Sequence, residues 1–211
     1  MTKAESKVID FIKKHILLFL LVAVTIIAIF LRVCGMDFQS DDFNSFLNSW
    51  WSIIKLNDFT GLATQVGNYN IPYQIIIYLM TLLPLNALYA YKIVSIIFDF
   101  VLAISTAMLA YSFAKNNRRL KAILTYSAVL LSATVIFNSS FWAQCDSIYT
   151  SFIILAILFL HKDKPIASFV FIGIAFAFKL QTVFIIPVLL YYWISTKKIS
   201  ILHFFIILRL M

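Results

Sequence analysis

Residues 15–31 read HILLFLLVAVTIIAIFL, a run in which only His15 and Thr25 are polar. About 18 such residues form a helix roughly 27 Å long at 1.5 Å per residue, close to the thickness of a bilayer's hydrocarbon core. Barrel strands are shorter and alternate in polarity, so in lipid this run satisfies its backbone hydrogen bonds only as a helix. The whole chain agrees, since 63% of its 211 residues are hydrophobic and 12% are charged. We predict an all-α, polytopic transmembrane helical bundle.

The basic residues indicate which side of the membrane each loop occupies. A net charge of +8 could indicate that the protein binds nucleic acid. The basic residues form no continuous stripe, however, so we expect no nucleic-acid partner. Because lysine and arginine favour cytoplasmic loops, we predict a multi-pass plasma-membrane protein with a cytoplasmic N-terminus. The four basic groups are Lys3, Lys7, Lys13 and Lys14; Lys115, Arg118, Arg119 and Lys121; Lys162 and Lys164; and Lys197 and Lys198.

These loops divide one predicted membrane domain, residues 1–211, into segments. Its outer loop contains IPYQIIIYLMTLL at 71–83, which is too short to span comfortably, so we expect a re-entrant or interfacial helix there. For 165–195, one tilted helix is the alternative to two short arms. The predicted segments are a cytoplasmic N-terminus at 1–15, a first helix at 16–33, an outer loop at 34–85, membrane helices at 86–114, 120–137, 147–161, 165–179 and 181–195, and an incomplete helix at 199–211.

The stretch NSSFWAQCDSIY at 138–149 is the strongest candidate for chemistry. It places Trp142, Gln144 and Asp146 between two apolar runs and therefore at a bilayer surface. A carboxylate beside an aromatic ring and amide groups can accept a proton, hold a metal or hydrogen-bond a sugar. Helix packing requires none of these, so the stretch favours a functional site.

The predicted topology brings further polar residues to the same outer face as this stretch. They are Asp41 and Asp42 from the first outer loop, and Lys179 and Gln181 from the later arms. Convergence of residues that are distant in sequence is what an active site needs. The alternative is that polar residues gather there simply because loops are polar.

Two ionisable residues, Lys92 and Asp99, lie within the predicted helix of 86–114. An intramembrane charge costs several kcal/mol unless it is paired or hydrated. For Asp99 we favour an interhelical hydrogen bond that locks the bundle. Lys92, nearer the outer surface, is a candidate to bind an anionic headgroup.

Aromatic and cysteine residues leave alternatives open. An interfacial aromatic belt is favoured for Trp50, Trp51, Tyr69 and Tyr73, with stacking on sugar rings as the alternative. Two cysteines, Cys34 and Cys145, are too few for a disulfide framework, so we expect free thiols, with one bridge between them as the alternative.

Several ordered motifs resemble the amino-terminal half of the bacterial GT-C glycosyltransferases, multi-pass enzymes that include mannosyltransferases. The resemblance covers about residues 16–205 and includes the outward first helix. FWAQCDSIYTSF and FKLQ carry the most weight. The motifs are SDDFNSFLNSWW at 40–51, NYNIPYQ at 68–74, YKIVSIIFDF at 91–100, NSSFWAQCDSIYTSF at 138–152 and GIAFAFKLQTVFIIP at 173–187.

The resemblance implies inverting transfer of a sugar from a polyprenyl-phosphate carrier to a cell-surface glycan or lipid acceptor at the outer face of the bilayer. The family's functional aspartate matches Asp42, which would act as general base. Where relatives often carry Gly before this aspartate, the chain has Asp41, so which carboxylate is the base stays open. Where they often have Gly after the tryptophan, it has Ala143.

The family's WxQxD and KxQ elements supply the remaining expected roles. Lys179 would steady the departing phosphate, and Asp146 would orient the acceptor or, with Asp41, hold a divalent cation such as Mg²⁺ or Mn²⁺. Family members differ in their need for a metal, so the metal stays open. The candidate substrate-binding residues are Trp142, Gln144, Lys179, Gln181, Tyr69 and Lys92.

The chain is shorter than GT-C enzymes usually are, which bears on whether it is active. GT-C enzymes are usually longer and would continue past HFFIILRLM at 203–211, so we expect a truncated form, with an inactive fragment as one alternative. A transporter or lipid flippase is another, in which Lys92, Asp99 and Lys179 line a path. A third is a structural partner of another membrane enzyme.

Overall fold

The computed structural model describes residues 2–67 and 69–210. These residues form helices and connecting turns and contain no strand, which confirms the all-α prediction. Between the α-helices lie π-helical turns at Phe43–Leu47 and Phe137–Phe141, and 3₁₀ segments at Asp58–Leu62, Leu180–Ile185 and Ile201–His203. The α-helices are α1 (Lys3–Val33), α2 (Asn48–Asn57), α3 (Ile71–Thr81), α4 (Ala87–Phe113), α5 (Arg118–Leu130), α6 (Ala133–Ile136), α7 (Asp146–His161), α8 (Pro165–Phe178), α9 (Ile186–Thr196) and α10 (Phe204–Leu210).

In the described part of the chain, α1 and α4 are long and apolar enough to cross a membrane. They contain 31 and 27 residues, or about 46 and 40 Å at 1.5 Å per residue, against a hydrocarbon core of about 30 Å. The bent pair Arg118–Leu130 and Ala133–Phe141 adds a third span if it is counted as one. These lengths and compositions are consistent with a membrane protein.

α1 begins at Lys3 and not at residue 16, so the predicted N-terminal tail is part of the helix. The side chain of Thr2 accepts a hydrogen bond from the Glu5 backbone at 3.2 Å, and the Thr2 backbone donates to the Glu5 carboxylate at 2.7 Å. This capping box satisfies two backbone donors at the start of the helix. α1 packs on the bundle only near its C-terminal end, where its buried residues are Val24, Ala28 and Arg32.

The helix predicted over 120–137 is broken between α5 and α6, and the two parts are bent by 51°. The break frees carbonyl groups at the end of α5 that need new donors. Arg32 of α1 supplies one, since its Nη1 donates to the Leu130 carbonyl at 3.0 Å. A side chain from another helix therefore stabilises the bend.

Asp99 of α4 is the centre of a buried polar cluster. It accepts hydrogen bonds from Arg32 Nε at 2.9 Å, from Ser139 Oγ at 2.5 Å and from Ser147 Oγ at 2.5 Å, and all four side chains are buried. The interhelical hydrogen bond predicted for Asp99 is thus present. Its charged partner, Arg32, was missed, although an arginine at the end of a long apolar run is a readable sign of a buried pair.

α4 occupies the middle of the bundle, packing against α5 on the one hand and α7 on the other. One apolar cluster joins α2, α3, α4 and the start of α7 through residues such as Trp51, Ile77, Tyr91 and Ile148. A second cluster joins α7 to the helices that follow it, and a third joins α1, α4 and α5. The first cluster lies under the candidate site.

The predicted arms at 165–179 and 181–195 are separate helices. α8 ends at Phe178, and Lys179 has an extended backbone, with φ −153° and ψ 129°. The 3₁₀ segment then leads into α9. This interruption rules out one continuous helix over 165–195 and sets Lys179 at a break in the chain.

Candidate functional site

Asp42 is positioned by a cap at the start of its helical segment. Ser40 Oγ accepts a hydrogen bond from the Phe43 backbone at 3.1 Å, as is typical of a serine that caps a helix. The same hydroxyl is 3.3 Å from the Trp142 carbonyl, to which it donates. Ser40 therefore holds the Asp42 segment against the stretch that carries Gln144 and Asp146.

That second stretch is shaped by a π-helical turn and one strained residue. The turn Phe137–Phe141 ends just before Trp142, and π-helical turns are frequent at functional sites. Ala143 follows with φ +57° and is fully buried. Left-handed backbone favours glycine, so an alanine at this position is conformationally strained. The Gln144 backbone then donates to the Asn138 carbonyl at 2.8 Å and closes the turn.

Gln144 joins three segments that are far apart in sequence. Its amide nitrogen donates to Asp42 Oδ2 at 2.9 Å, and its amide oxygen accepts from the Tyr69 hydroxyl at 3.1 Å. Each end of the amide is thereby oriented. Asp42 keeps its second carboxylate oxygen for another donor.

Asp146 is held by a cation and an amide. Lys179 Nζ forms an ion pair with Asp146 Oδ1, and Asn138 Nδ2 donates to Asp146 Oδ2 at 3.0 Å. The ammonium also lies over two rings, 5.4 Å from the Tyr69 centroid and 5.6 Å from the Tyr149 centroid. Lys179 therefore links the 69, 146 and 179 segments and is still partly exposed, at 17% of its side chain.

Two cavities meet at this group. The first has a volume of about 390 Å³ and presents Asp42, Gln144 and Asp146 beside Trp50 and Tyr69. The second has a volume of about 530 Å³ and presents Lys179 and Gln181 among apolar side chains. Tyr69 lines both cavities, so they are neighbours. The apolar lining residues of the second cavity are Phe178, Leu180, Val183 and Phe184.

Other predicted site residues are placed elsewhere. Asp41 and Trp142 are exposed, and neither lines these two cavities. Lys92 is buried, and its Nζ donates to the carbonyls of Gly35, Met36 and Phe38 at 2.7, 3.0 and 2.5 Å. A lysine that binds three carbonyls of the segment after α1 has its three donors occupied.

The residues do not fit a metal site. In the part of the chain that the structure describes, no group of three or more His, Cys, Asp or Glu side chains is arranged to hold a metal ion. Asp146 is engaged by Lys179 and Asn138, and Asp41 does not line the cavity that contains Asp146. We therefore assign no step to a cation.

The pKa values of the nearby phenol and thiol are both raised by their surroundings. Burial raises the pKa of Tyr69, and the neighbouring Cys145 and Asp146 raise it further, so Tyr69 remains a hydrogen-bond donor. Burial also raises the pKa of Cys145 to about 11, although Lys179 opposes the shift. The cysteines are free thiols, as predicted, with Cys34 exposed and Cys145 buried.

Three contributors to the site were missed in the sequence. Ser40 was readable as a helix cap, because it precedes a helical segment. Ser139 of the π-helical turn and Ser147 of α7 both donate to Asp99, but nothing in the spacing of two serines indicates a shared carboxylate. Only the structure shows that Asp99 holds the chain on both sides of residues 140–146.

Comparison of the chain with protein-family models, with curated proteins and with solved structures gives no match. The sequence motifs and the geometry of the two cavities are therefore the features that indicate a function.

Proposed function

We propose that the protein is a GT-C-like inverting glycosyltransferase, a hexosyltransferase that moves a sugar from a polyprenyl-phosphate carrier to a glycan or lipid acceptor. The observation that carries the proposal is the convergence of Asp42, Tyr69, Gln144, Asp146 and Lys179 at two adjoining cavities. These residues come from four separate parts of the chain. Packing alone requires no such gathering of carboxylates, an amide and an ammonium.

Asp42 is the proposed general base. It is exposed in the first cavity, and Gln144 orients it through one oxygen. The other oxygen accepts the proton of the acceptor hydroxyl as that hydroxyl attacks the anomeric carbon. The bond from the anomeric carbon to the carrier phosphate breaks, and the phosphate leaves with the electron pair. Positioned bases typically contribute about 10²- to 10⁴-fold to such a rate.

Lys179 is the proposed partner of the leaving phosphate. It stands between the polar cavity and the more apolar one, and its charge is balanced by Asp146 in the absence of a donor. As the bond to the anomeric carbon breaks, the carrier phosphate gains a further negative charge, and the ammonium can stabilise that developing charge. The aromatic and aliphatic walls of the second cavity suit the first isoprene units of the carrier.

The proposal includes a multi-pass arrangement in the plasma membrane with the site outside and the N-terminus in the cytoplasm. Nucleotide sugars are made in the cytoplasm and do not cross lipid, so an external site requires a lipid-linked donor. α3, about 16 Å long at 1.5 Å per residue, fits a re-entrant or interfacial helix better than a span. Two basic loops, 115–121 and 162–164, would face the cytoplasm.

A transporter or flippase is less well supported. That alternative uses Lys92, Asp99 and Lys179 as charges along a path, but Lys92 is occupied by three carbonyls and Asp99 by Arg32 and two serines. Charged groups whose hydrogen bonds are already made within the protein have little capacity left to bind a substrate that moves along a path.

The decisive experiment supplies the purified full chain with a radiolabelled polyprenyl-phosphate hexose and an acceptor glycan. We expect transfer by the wild type and a loss of about 10²- to 10⁴-fold in Asp42→Asn. The matched control is Asp41→Asn, which removes a neighbouring exposed carboxylate outside the cavity and should retain activity. Absence of wild-type transfer, or equal activity of Asp42→Asn, would refute the proposal. Loss of transfer activity in Asp41→Asn but not in Asp42→Asn would identify Asp41 as the general base.

A further inference from the structure

A wedge-shaped cavity separates α1 from α4 and α5, along the C-terminal half of α4. Its volume is about 660 Å³, and Leu21, Ile104, Met108 and Ile123 are among its lining residues. It shares no lining residue with the two cavities of the candidate site. It is therefore a separate feature of the bundle.

The wedge opens where α1 leaves the other helices. None of residues 3–20 is buried, whereas Val24, Ala28 and Arg32 are. Leu21 and Thr25, which line the cavity, mark the point of divergence. The space is thus built into the splay of α1.

The deeper part of the wedge presents hydrocarbon. Three of its hydroxyl groups have partners within the protein: Thr25 Oγ1 donates to the Leu21 carbonyl at 2.8 Å and lies 3.0 Å from the Tyr126 hydroxyl. Ser112 Oγ donates to the Leu109 carbonyl at 2.7 Å. A polar ligand would find few free partners here, but an acyl chain needs none.

Two cations line the same cavity, Arg118 and Lys162. Arg118 is held in place, since its Nε donates to the Ala114 carbonyl at 2.7 Å and its guanidinium lies 5.9 Å from the Tyr111 ring centroid. Among the described residues, no carboxylate forms an ion pair with either cation. Two positive charges beside an apolar wedge are complementary to a ligand with an anionic head and a hydrocarbon tail.

We propose that the wedge binds an anionic phospholipid of the surrounding bilayer, with its phosphate between Arg118 and Lys162 and one acyl chain against Leu21, Ile104 and Met108. The inference rests on the membrane insertion contained in the proposed function and is independent of sugar transfer. A lipid already oriented in the bilayer reaches the wedge laterally, through the gap beside α1.

Native mass spectrometry of the purified full chain tests the site with phosphatidylglycerol and phosphatidylcholine of identical acyl chains. We expect phosphatidylglycerol to remain bound preferentially. Arg118→Gln and Lys162→Gln should each weaken its binding about fivefold, and the double variant about 25-fold. The matched control is Arg119→Gln, which removes the adjacent charge outside the wedge and should change binding less than about twofold.

Filling the wedge gives a second, charge-independent test. Ala122→Phe should displace the bound lipid, whereas Ala128→Phe on an exposed face of α5 should not. Equal retention of both lipids, equal effects of Arg118→Gln and Arg119→Gln, or unchanged binding in Ala122→Phe would each overturn the inference. Lipid binding by an Asp42→Asn protein that has lost sugar transfer would show that the lipid site is independent of the proposed activity.

Discussion

Asp99 and Asp163 each pair with a cation, but in opposite surroundings. The Arg32–Asp99 pair is buried, with side chains 1% and 0% exposed, whereas the Lys198–Asp163 pair is 54% and 60% exposed. Water and salt screen the exposed pair, so its net contribution is small. Removing one member of a buried pair leaves an uncompensated charge.

We expect Asp99→Ala to lower the free energy of unfolding by about 3–5 kcal/mol. The loss should appear in denaturant titrations of the detergent-solubilised protein. Asp163→Ala is the control and should leave the transition where it is within error. The double variant Arg32→Met with Asp99→Leu should recover only part of the stability, because it removes both buried charges but also the hydrogen bond from Arg32 to the Leu130 carbonyl. Equal effects of Asp99→Ala and Asp163→Ala would contradict this account.

The turn that follows α1 is in close contact with the π-helical turn at Phe137–Phe141. A Cβ atom on Gly35 would lie 2.7 Å from the Phe141 ring and 2.9 Å from the Ser140 carbonyl. Both distances are shorter than van der Waals contact. Lys92 fixes this turn through the carbonyls of Gly35, Met36 and Phe38, so the turn cannot simply withdraw.

Gly35→Ala should therefore destabilise the protein by about 1–3 kcal/mol through overpacking. The thermal unfolding midpoint of the purified protein measures the effect. Gly61→Ala provides the comparison, since its nearest contact would be 3.3 Å and its loss should be smaller. A larger loss of stability in Gly61→Ala would show that Gly35 is not tightly packed against the π-helical turn.

At the scale of the whole molecule, the proposed sidedness is testable without any substrate. In a Cys34→Ser background, which keeps only the buried Cys145, one further cysteine can be placed at Asn44, Asn116 or Asp163, all of which are exposed. In intact cells, a membrane-impermeant maleimide should label Asn44→Cys, and it should label Asn116→Cys and Asp163→Cys only after permeabilisation. Cys145 is buried and raised in pKa to about 11, so it should stay unlabelled in the folded protein. Labelling of all three positions in intact cells would contradict the predicted topology.

Helix locations were readable wherever an apolar run was long and bounded by charge. The helix predicted at 86–114 corresponds to α4 at Ala87–Phe113, because this segment contains no proline or glycine that would break a helix. The early start of α1 was also readable, since Thr2 and Glu5 have capping-box spacing. The break after Leu130 could not be predicted from the sequence, because an arginine almost a hundred positions away stabilises it.

The candidate site shows the same division. Asp42, Gln144, Asp146 and Lys179 were chosen from motifs and meet at adjoining cavities, whereas Asp41 and Trp142 were chosen on the same grounds and do not line them. Neighbouring residues differ in this way because side-chain direction depends on local backbone geometry. The capped start at Ser40 and the left-handed residue Ala143 set that geometry here.

Composition and apolar runs by themselves determined that this chain is helical and suited to lipid, because burial of backbone polar groups in hydrocarbon permits little else. Tertiary structure alone decided that Gln144 joins Asp42 to Tyr69, that Lys179 pairs with Asp146, and that Lys92 binds backbone carbonyls. Those outcomes depend on contacts between residues tens of positions apart. Linear patterns record the preferences of each segment, but the partner of a polar side chain is chosen only when the segments pack.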